Sequence, residues 1–371
     1  MKTWVEISKS NLIHNTKELK KIIPSDKQVM SVVKSNAYGH GLAEVSGILS
    51  KKFADLWLGV DSIDEALTLR KNGVKAPILV MGYVLLDRLK DVIDHDIRLV
   101  VYNKETIKKL GEYKKDVKVH IKVETGTYRQ GIKDKDVLSF VKYIKKYSNI
   151  EIEGIYTHFA NIEDTTNHFY ADYQLERFKK ILKILKDNNI KIPIKHTACS
   201  AAAILFPETH FNMVRFGTAT YGIWSSKETF LTVKKSDIIL KPVLTWKTRV
   251  AQIKKVKKGM PISYGLTEKL SRDSKIAVIP VGYWDGYDRR FSSIGNVLIC
   301  GKRCKILGRI CMNMCMVDIT DLKDVKVEDE VVLLGNQKKE KITVEELAEK
   351  IRTINYEVIT RINPLIKRII T

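Results

Sequence analysis

The chain has 371 residues, 44% of them apolar, with 65 Lys and Arg against 43 Asp and Glu for a net charge of +22. Such a composition belongs to a globular protein with enough apolar residues for one large or two medium domains, and it excludes an intrinsically disordered chain or a disulfide-stapled miniature fold. The opening residues contain no apolar leader core and no apolar run is long enough to cross a bilayer, so a cytoplasmic protein without membrane partners is expected. The positive charge invites a polyanion, yet the lysines are spread through amphipathic stretches such as 179–186, where they form the solvated face of a helix. No specific nucleic-acid partner is expected from them.

From residue 10 to 237, short apolar runs alternate with amphipathic stretches. Strands are predicted over 29–33, 56–60, 78–81, 99–102, 117–123, 152–156, 192–196 and 213–216. Helices fill the gaps, for example 62–71, with Ser62 as N-cap and Glu65 completing a capping box. Eight βα units of about 25 to 30 residues fit an α/β protein with a (β/α)8 TIM-type barrel, with a doubly wound sheet as the alternative. From 238 to 371 the apolar period falls to two. Strands are predicted over 243–253, 275–281, 295–299, 304–310, 314–319 and 330–334, with one helix at 343–351. This is a mostly β C-terminal domain that residues 1–9 are candidates to join. Cys300, Cys304, Cys311 and Cys315 lack the C-x2-C spacing and the histidines of a zinc site, so they read as small strand residues and no metal is expected.

Barrel chemistry collects where strands end. Lys34 stands directly after the run 30–33 and before a loop carrying Asn36, Tyr38, Gly39 and Gly41, the place a Schiff-base lysine would occupy beside an anion-holding loop. The other strand ends supply Lys122 with Arg129, His158, His196 with Ser200, and Arg215 with Gly217. Singly, each could be a solvated or core-edge polar residue; together they outline one site.

The motifs Val32-Val33-Lys34-Ser35-Asn36-Ala37-Tyr38-Gly39-His40-Gly41, His120-Ile121-Lys122-Val123-Glu124-Thr125-Gly126, Thr157-His158-Phe159-Ala160, Val214-Arg215-Phe216-Gly217-Thr218, Ser263-Tyr264-Gly265, Gly282-Tyr283-Trp284-Asp285-Gly286-Tyr287 and Asn355-Tyr356-Glu357 together resemble those of alanine racemases, in family order across nearly the whole chain. The resemblance implies a pyridoxal-phosphate enzyme that interconverts L- and D-alanine by two-base proton transfer at Cα, supplying D-alanine for peptidoglycan. It implies Lys34 as cofactor lysine and acid/base on one face, and Tyr264, from the other subunit of a homodimer, on the opposite face. It further implies Arg215 facing the pyridine nitrogen with His158 beside it, and Tyr38, Ser200, Gly217, Thr218 and Tyr356 around the phosphate. Arg129 and the Met312 backbone would meet the substrate carboxylate. Lys122 matches a position carbamylated in some members, and Tyr283 and Arg309 match residues of the access corridor.

Three positions depart from the usual pattern: Cys199, Trp284 and Asn313. They leave the proton-transfer residues intact and bear on substrate preference. The C-terminal run 360–364 has some likeness to serine racemases, which keeps a serine or mixed alanine/serine racemase as the alternative. A barrel-type amino-acid decarboxylase shares the lysine, but the motif 214–217 and Tyr264 argue against it. A pyridoxal-phosphate-binding homeostasis protein is the non-enzyme alternative; it lacks a C-terminal β domain.

Overall fold

A computed structural model describes residues 1–233 and 238–371; residue 237, the expected end of the first domain, lies outside the described residues. Two compact units emerge. One comprises Asn11–Ala37 and Val45–Lys241, the other Met1–Ser10, Tyr38–Glu44 and Pro242–Thr371.

The first unit is the barrel. Following β1 (Thr3–Ile7), which belongs to the other unit, its strands are β2 (Gln28–Val32), β3 (Trp57–Val60), β4 (Ile78–Val80), β5 (Arg98–Val101), β6 (Val117–Glu124), the two-residue β7 (Ile132–Lys133), β8 (Ile150–Tyr156), β9 (Ile194–His196) and β10 (Met213–Phe216). All eight predicted strands are present. They pair in parallel in the order β10-β2-β3-β4-β5-β6-β8-β9, with β7 on the side of β6. At the seam between β9 and β10 the amides of Asn212 and Arg215 donate to the carbonyls of Lys195 and Ala198, each at 3.0 Å. The sheet thereby curls back on itself, and the doubly wound alternative is set aside. These strands are apolar on both faces, as parallel strands covered by helices must be. Met30, Trp57, Leu79, Val100, Tyr156, Ile194 and Met213 form one buried cluster drawn from seven strands. The 169–187 region is one helix, Phe169–Asp187, with Phe178, Ile181 and Leu185 buried and Lys179, Lys180, Lys183 and Lys186 exposed.

The predicted helix at 62–71 runs Ile63–Lys71, and the Ser62 hydroxyl caps it by accepting from the Glu65 amide at 3.2 Å. The capping box is not completed as expected. The Glu65 carboxylate instead accepts from the amides of Asp61 (2.9 Å) and Asn36 (3.2 Å).

The second unit is a ten-stranded sheet. Its further strands are β11 (Leu244–Arg249), β12 (Gln252–Val256), β13 (Pro261–Ile262), β14 (Glu268–Lys269), β15 (Ser274–Ile279), β16 (Asn296–Ile299), β17 (Lys302–Leu307), β18 (Cys315–Asp318), β19 (Glu330–Gln337), β20 (Glu340–Ile342) and β21 (Arg368–Ile370). The main order is β12-β15-β18-β17-β16-β19-β11-β1-β21, with β20 on β19 and β13-β14 a separate hairpin. β1 runs antiparallel to β11 and parallel to β21. The predicted run 243–253 is two strands, because the chain changes partner: Val250 donates to Asp329 and Ala251 to Val278. The predicted helix at 343–351 is Val344–Lys350, capped by Thr343. Cys304 and Cys315 are buried strand residues, as their apolar reading anticipated; burial pushes the Cys304 thiol up to about 12.

Candidate active site

Lys34 follows β2, one residue beyond Val33, whose amide donates to Gly59. Its Nζ lies 3.5 Å from Asp61 Oδ1. The backbone then makes a left-handed turn: Ser35, Asn36, Ala37 and Tyr38 have φ of 55°, 54°, 52° and 52°. Four successive non-glycine residues in this region are costly, and the Glu65 carboxylate on the Asn36 amide helps to hold them. Asp61 and Glu65 were not among the predicted site residues. The strand-end rule reaches Asp61, which directly follows the predicted strand 56–60.

Arg215, on β10, is buried. Its Nη1 donates to His196 Nδ1 at 2.8 Å, and its Nη2 donates to the carbonyls of Thr197 (2.9 Å) and Thr157 (3.0 Å) and to His158 Nδ1 (3.3 Å). The Tyr156 ring lies 5.2 Å from the guanidinium. His158 is held well below the usual imidazole range, first by burial and then by Arg215, Lys122, Arg129 and Lys34. Its carbonyl receives Thr127 Oγ1 and Gln174 Nε2. Gln174 also accepts from the Ala160 amide at 2.8 Å, so one helix residue pins both sides of His158–Ala160.

Lys122 points into the barrel, buried, with Nζ 4.4 Å from the Tyr156 ring centroid. Burial, followed by Arg215 and Arg129, holds its amine well below the ordinary lysine range. Arg129 is exposed, on a loop folded around Glu124, whose carboxylate accepts from the amides of Gly126 (2.5 Å) and Arg129 (3.2 Å). Ser200 opens the helix Ser200–Leu205, and its Oγ accepts from the Gly217 amide at 2.9 Å. That leaves the Ser200 O–H free to donate elsewhere. Thr218 starts the short turn Thr218–Tyr221. Cys199 precedes Ser200 and its thiol is pushed up by burial. The barrel unit therefore gathers Lys34, Lys122, His158, Ser200, Arg215, Gly217 and Thr218 at the C-terminal ends of its strands.

The remaining predicted residues lie in the β unit. The rings of Tyr38 and Tyr356 are 6.1 Å apart. Arg368 donates to the carbonyl of Gly39 from two nitrogens, at 2.9 and 3.2 Å. Gly39 itself has φ 81°, and a Cβ there would be 2.0 Å from the Ile359 carbonyl oxygen, so only glycine fits. Tyr264 is 70% exposed, displayed between Ser263 (φ 66°) and Gly265 (φ 73°). Ser263 Oγ donates to the Arg309 carbonyl at 2.5 Å, and the Arg309 guanidinium packs on Gly265. Trp284 donates its amide to the Met312 carbonyl at 3.0 Å, and Tyr283 donates to Cys311 at 3.2 Å. Tyr283, Trp284, Met312 and Asn313 are exposed.

A parallel barrel with an amine at the end of one strand, a buried guanidinium at the end of another and an appended β domain defines a class of α/β enzyme. Models of the alanine racemase N-terminal and C-terminal domains match residues 7–225 and 243–370. The alanine racemase of Methanococcus maripaludis is 43% identical, over 99% of this chain and 98% of the relative. Among solved structures, alanine racemase from Bacillus anthracis with bound L-Ala-P has a TM-score of 0.93 at 37% identity, covering all of this chain and 95% of the neighbour. Alanine racemase of Clostridium difficile 630 gives 0.93 at 34% identity, covering all of this chain and 96% of the neighbour. The chain belongs to the alanine racemase family.

Proposed function

We propose that this protein interconverts L- and D-alanine, using pyridoxal phosphate held by Lys34. The observation that carries the reading is the pairing of an amine at the barrel mouth with a buried guanidinium whose Nη atoms, among the described residues, hydrogen-bond to carbonyls and imidazole nitrogens. The residues fit the cofactor: Lys34 offers a primary amine, Ser200 a hydroxyl, and Arg215 a fixed cation for an aromatic nitrogen. When bound, the cofactor supplies the electron sink that makes the Cα proton acidic.

The chain's own groups do the rest. Arg215 cannot surrender a proton and would leave an aromatic nitrogen held beside it unprotonated, which would restrain side reactions that need a fully protonated ring. Lys34 Nζ takes or returns the proton on one face of Cα. The partner subunit's Tyr264 does so on the other, which requires a homodimer and suits the exposure of Tyr264 in a single chain. His158, kept neutral, orients Arg215. In the barrel unit Ser200, Gly217 and Thr218 offer donors to a phosphate, and in the β unit Tyr38 and Tyr356 do. Arg129 and the Met312 backbone receive the substrate carboxylate, and Tyr283 and Arg309 restrict access. The lowered Lys122 amine favours the uncharged form that adds to CO2, which supports a carbamate bracing Arg129.

The test is racemisation of L-alanine and L-serine side by side, followed by chiral chromatography. Alanine is expected to turn over faster. Serine turnover without alanine turnover would overturn the reading, as would an active protein with no visible cofactor absorbance.

A further inference from the structure

Arg215 makes no ion pair of its own among the described residues, although it is buried. A guanidinium only donates, so His196 Nδ1, 2.8 Å from Nη1, must carry a lone pair. The single proton of neutral His196 is then on Nε2. That atom is 2.9 Å from His120 Nδ1, which must accept. The proton of His120 is therefore on Nε2, 3.1 Å from Glu153 Oε2. A one-way line of donors results: Arg215 to His196, His196 to His120, His120 to Glu153. A second proton on either ring would set two donors face to face, and burial holds both imidazoles below their usual range.

The fold makes room for this line. The register of β6 against β8 slips between Val119 and His120, which sets His120 against Gly154. A Cβ on Gly154 would stand 2.3 Å from His120 Nδ1. Tyr156 stacks on His196 with centroids 4.6 Å apart and planes at 8°, and Trp57 flanks His120 at 5.8 Å. At the far end, Glu153 also meets Arg98 Nε and Lys118 Nζ, each at 3.4 Å. Those cations keep the carboxylate an acceptor.

We propose that Glu153 and His120 are positioning residues for Arg215: the carboxylate ends a hydrogen-bonded line that holds His196 with Nδ1 bare and so fixes the plane of the guanidinium. The catalytic consequence rests on the reading of Arg215 as the group facing the cofactor; the proton arrangement does not.

The test reads ring nitrogens by 15N NMR in the cofactor-loaded protein labelled at histidine, together with kcat and KM for alanine. In the wild type, His120 and His196 should both carry their proton on Nε2. E153Q, whose amide oxygen can take the same proton, should keep both rings in place and most of kcat. E153M removes the acceptor. It should shift the His120 Nε2 signal, speed its exchange with solvent and lower kcat on the order of tenfold, the scale on which outer hydrogen-bond partners act, with KM little changed. If E153M fails to fold, H120F removes the middle acceptor and should displace the His196 Nε2 signal. A proton on His196 Nδ1 in the wild type would overturn the proposal. So would a folded E153M, or in its place H120F, that matches the wild type in signals and kcat. A wild type that leaves alanine untouched would instead sink the racemase reading while the ring-nitrogen result still stands.

Discussion

Lys34 and Arg215 are both cations, but their surroundings differ. Lys34 is partly exposed beside Asp61, whereas Arg215 is enclosed by carbonyls and imidazoles. Replacing Lys34 by Ala should abolish the visible cofactor absorbance and lower kcat by at least about a thousandfold, as expected for loss of the covalent lysine and an acid/base together; retained absorbance would show that another group holds the cofactor. Tyr264→Phe removes only the phenolic hydroxyl. It should keep the absorbance while proton exchange starting from L-alanine falls by about two to four orders of magnitude. Equal rates before and after would exclude Tyr264 from the chemistry. At this scale the sequence was most legible, because Lys34, Arg215 and Tyr264 sit in motifs that can be read locally. Glu153 was not legible: its partner His120 is 33 positions away, and only the strand register brings them together.

The left-handed turn after β2 is the element that aims Lys34. Residues 35–38 carry ordinary side chains, and the nearest glycine, Gly39, only follows them, so their positive φ could not be read from the sequence. What holds it is tertiary, in part the Glu65 carboxylate, which a helix-start pattern had assigned to capping. Glu65→Ala should therefore destabilise the protein by about 0.5–1.5 kcal/mol, the usual net worth of a hydrogen bond where water reaches the donors, and weaken cofactor binding. Denaturant unfolding with and without cofactor would check this; unchanged stability would show that the turn stands without Glu65. Strands, by contrast, were legible wherever apolar runs were short and bounded. The run 243–253 was not, because nothing local marks the change of hydrogen-bond partner at Val250 and Ala251.

Across the whole molecule, His120 and His196 are buried, His158 is half-buried, and desolvation is the first cause holding all three below their usual range. Their unfolded value is near about 6.5. Below that pH the unfolded chain takes up protons that the folded chain refuses, so these groups favour folding above pH about 6.5 and that advantage is lost as pH falls toward the folded values. The loss amounts to up to about 1.4 kcal/mol per pH unit for each fully uncoupled histidine. Unfolding free energy should thus begin to fall between about pH 6.5 and 5, before carboxylates titrate; a flat profile there would mean that the histidines are not neutral in the fold. The barrel rhythm and the β-rich second half were visible in the periodicity alone, since each rests on which residues can be covered. The most direct test of the whole account is to incubate the protein with L-alanine in deuterated water and follow deuterium at Cα in both enantiomers from the first turnover. Two opposed acid/base groups predict that D-alanine appears already labelled, with recovered L-alanine labelled later; D-alanine formed with its original Cα hydrogen would contradict it.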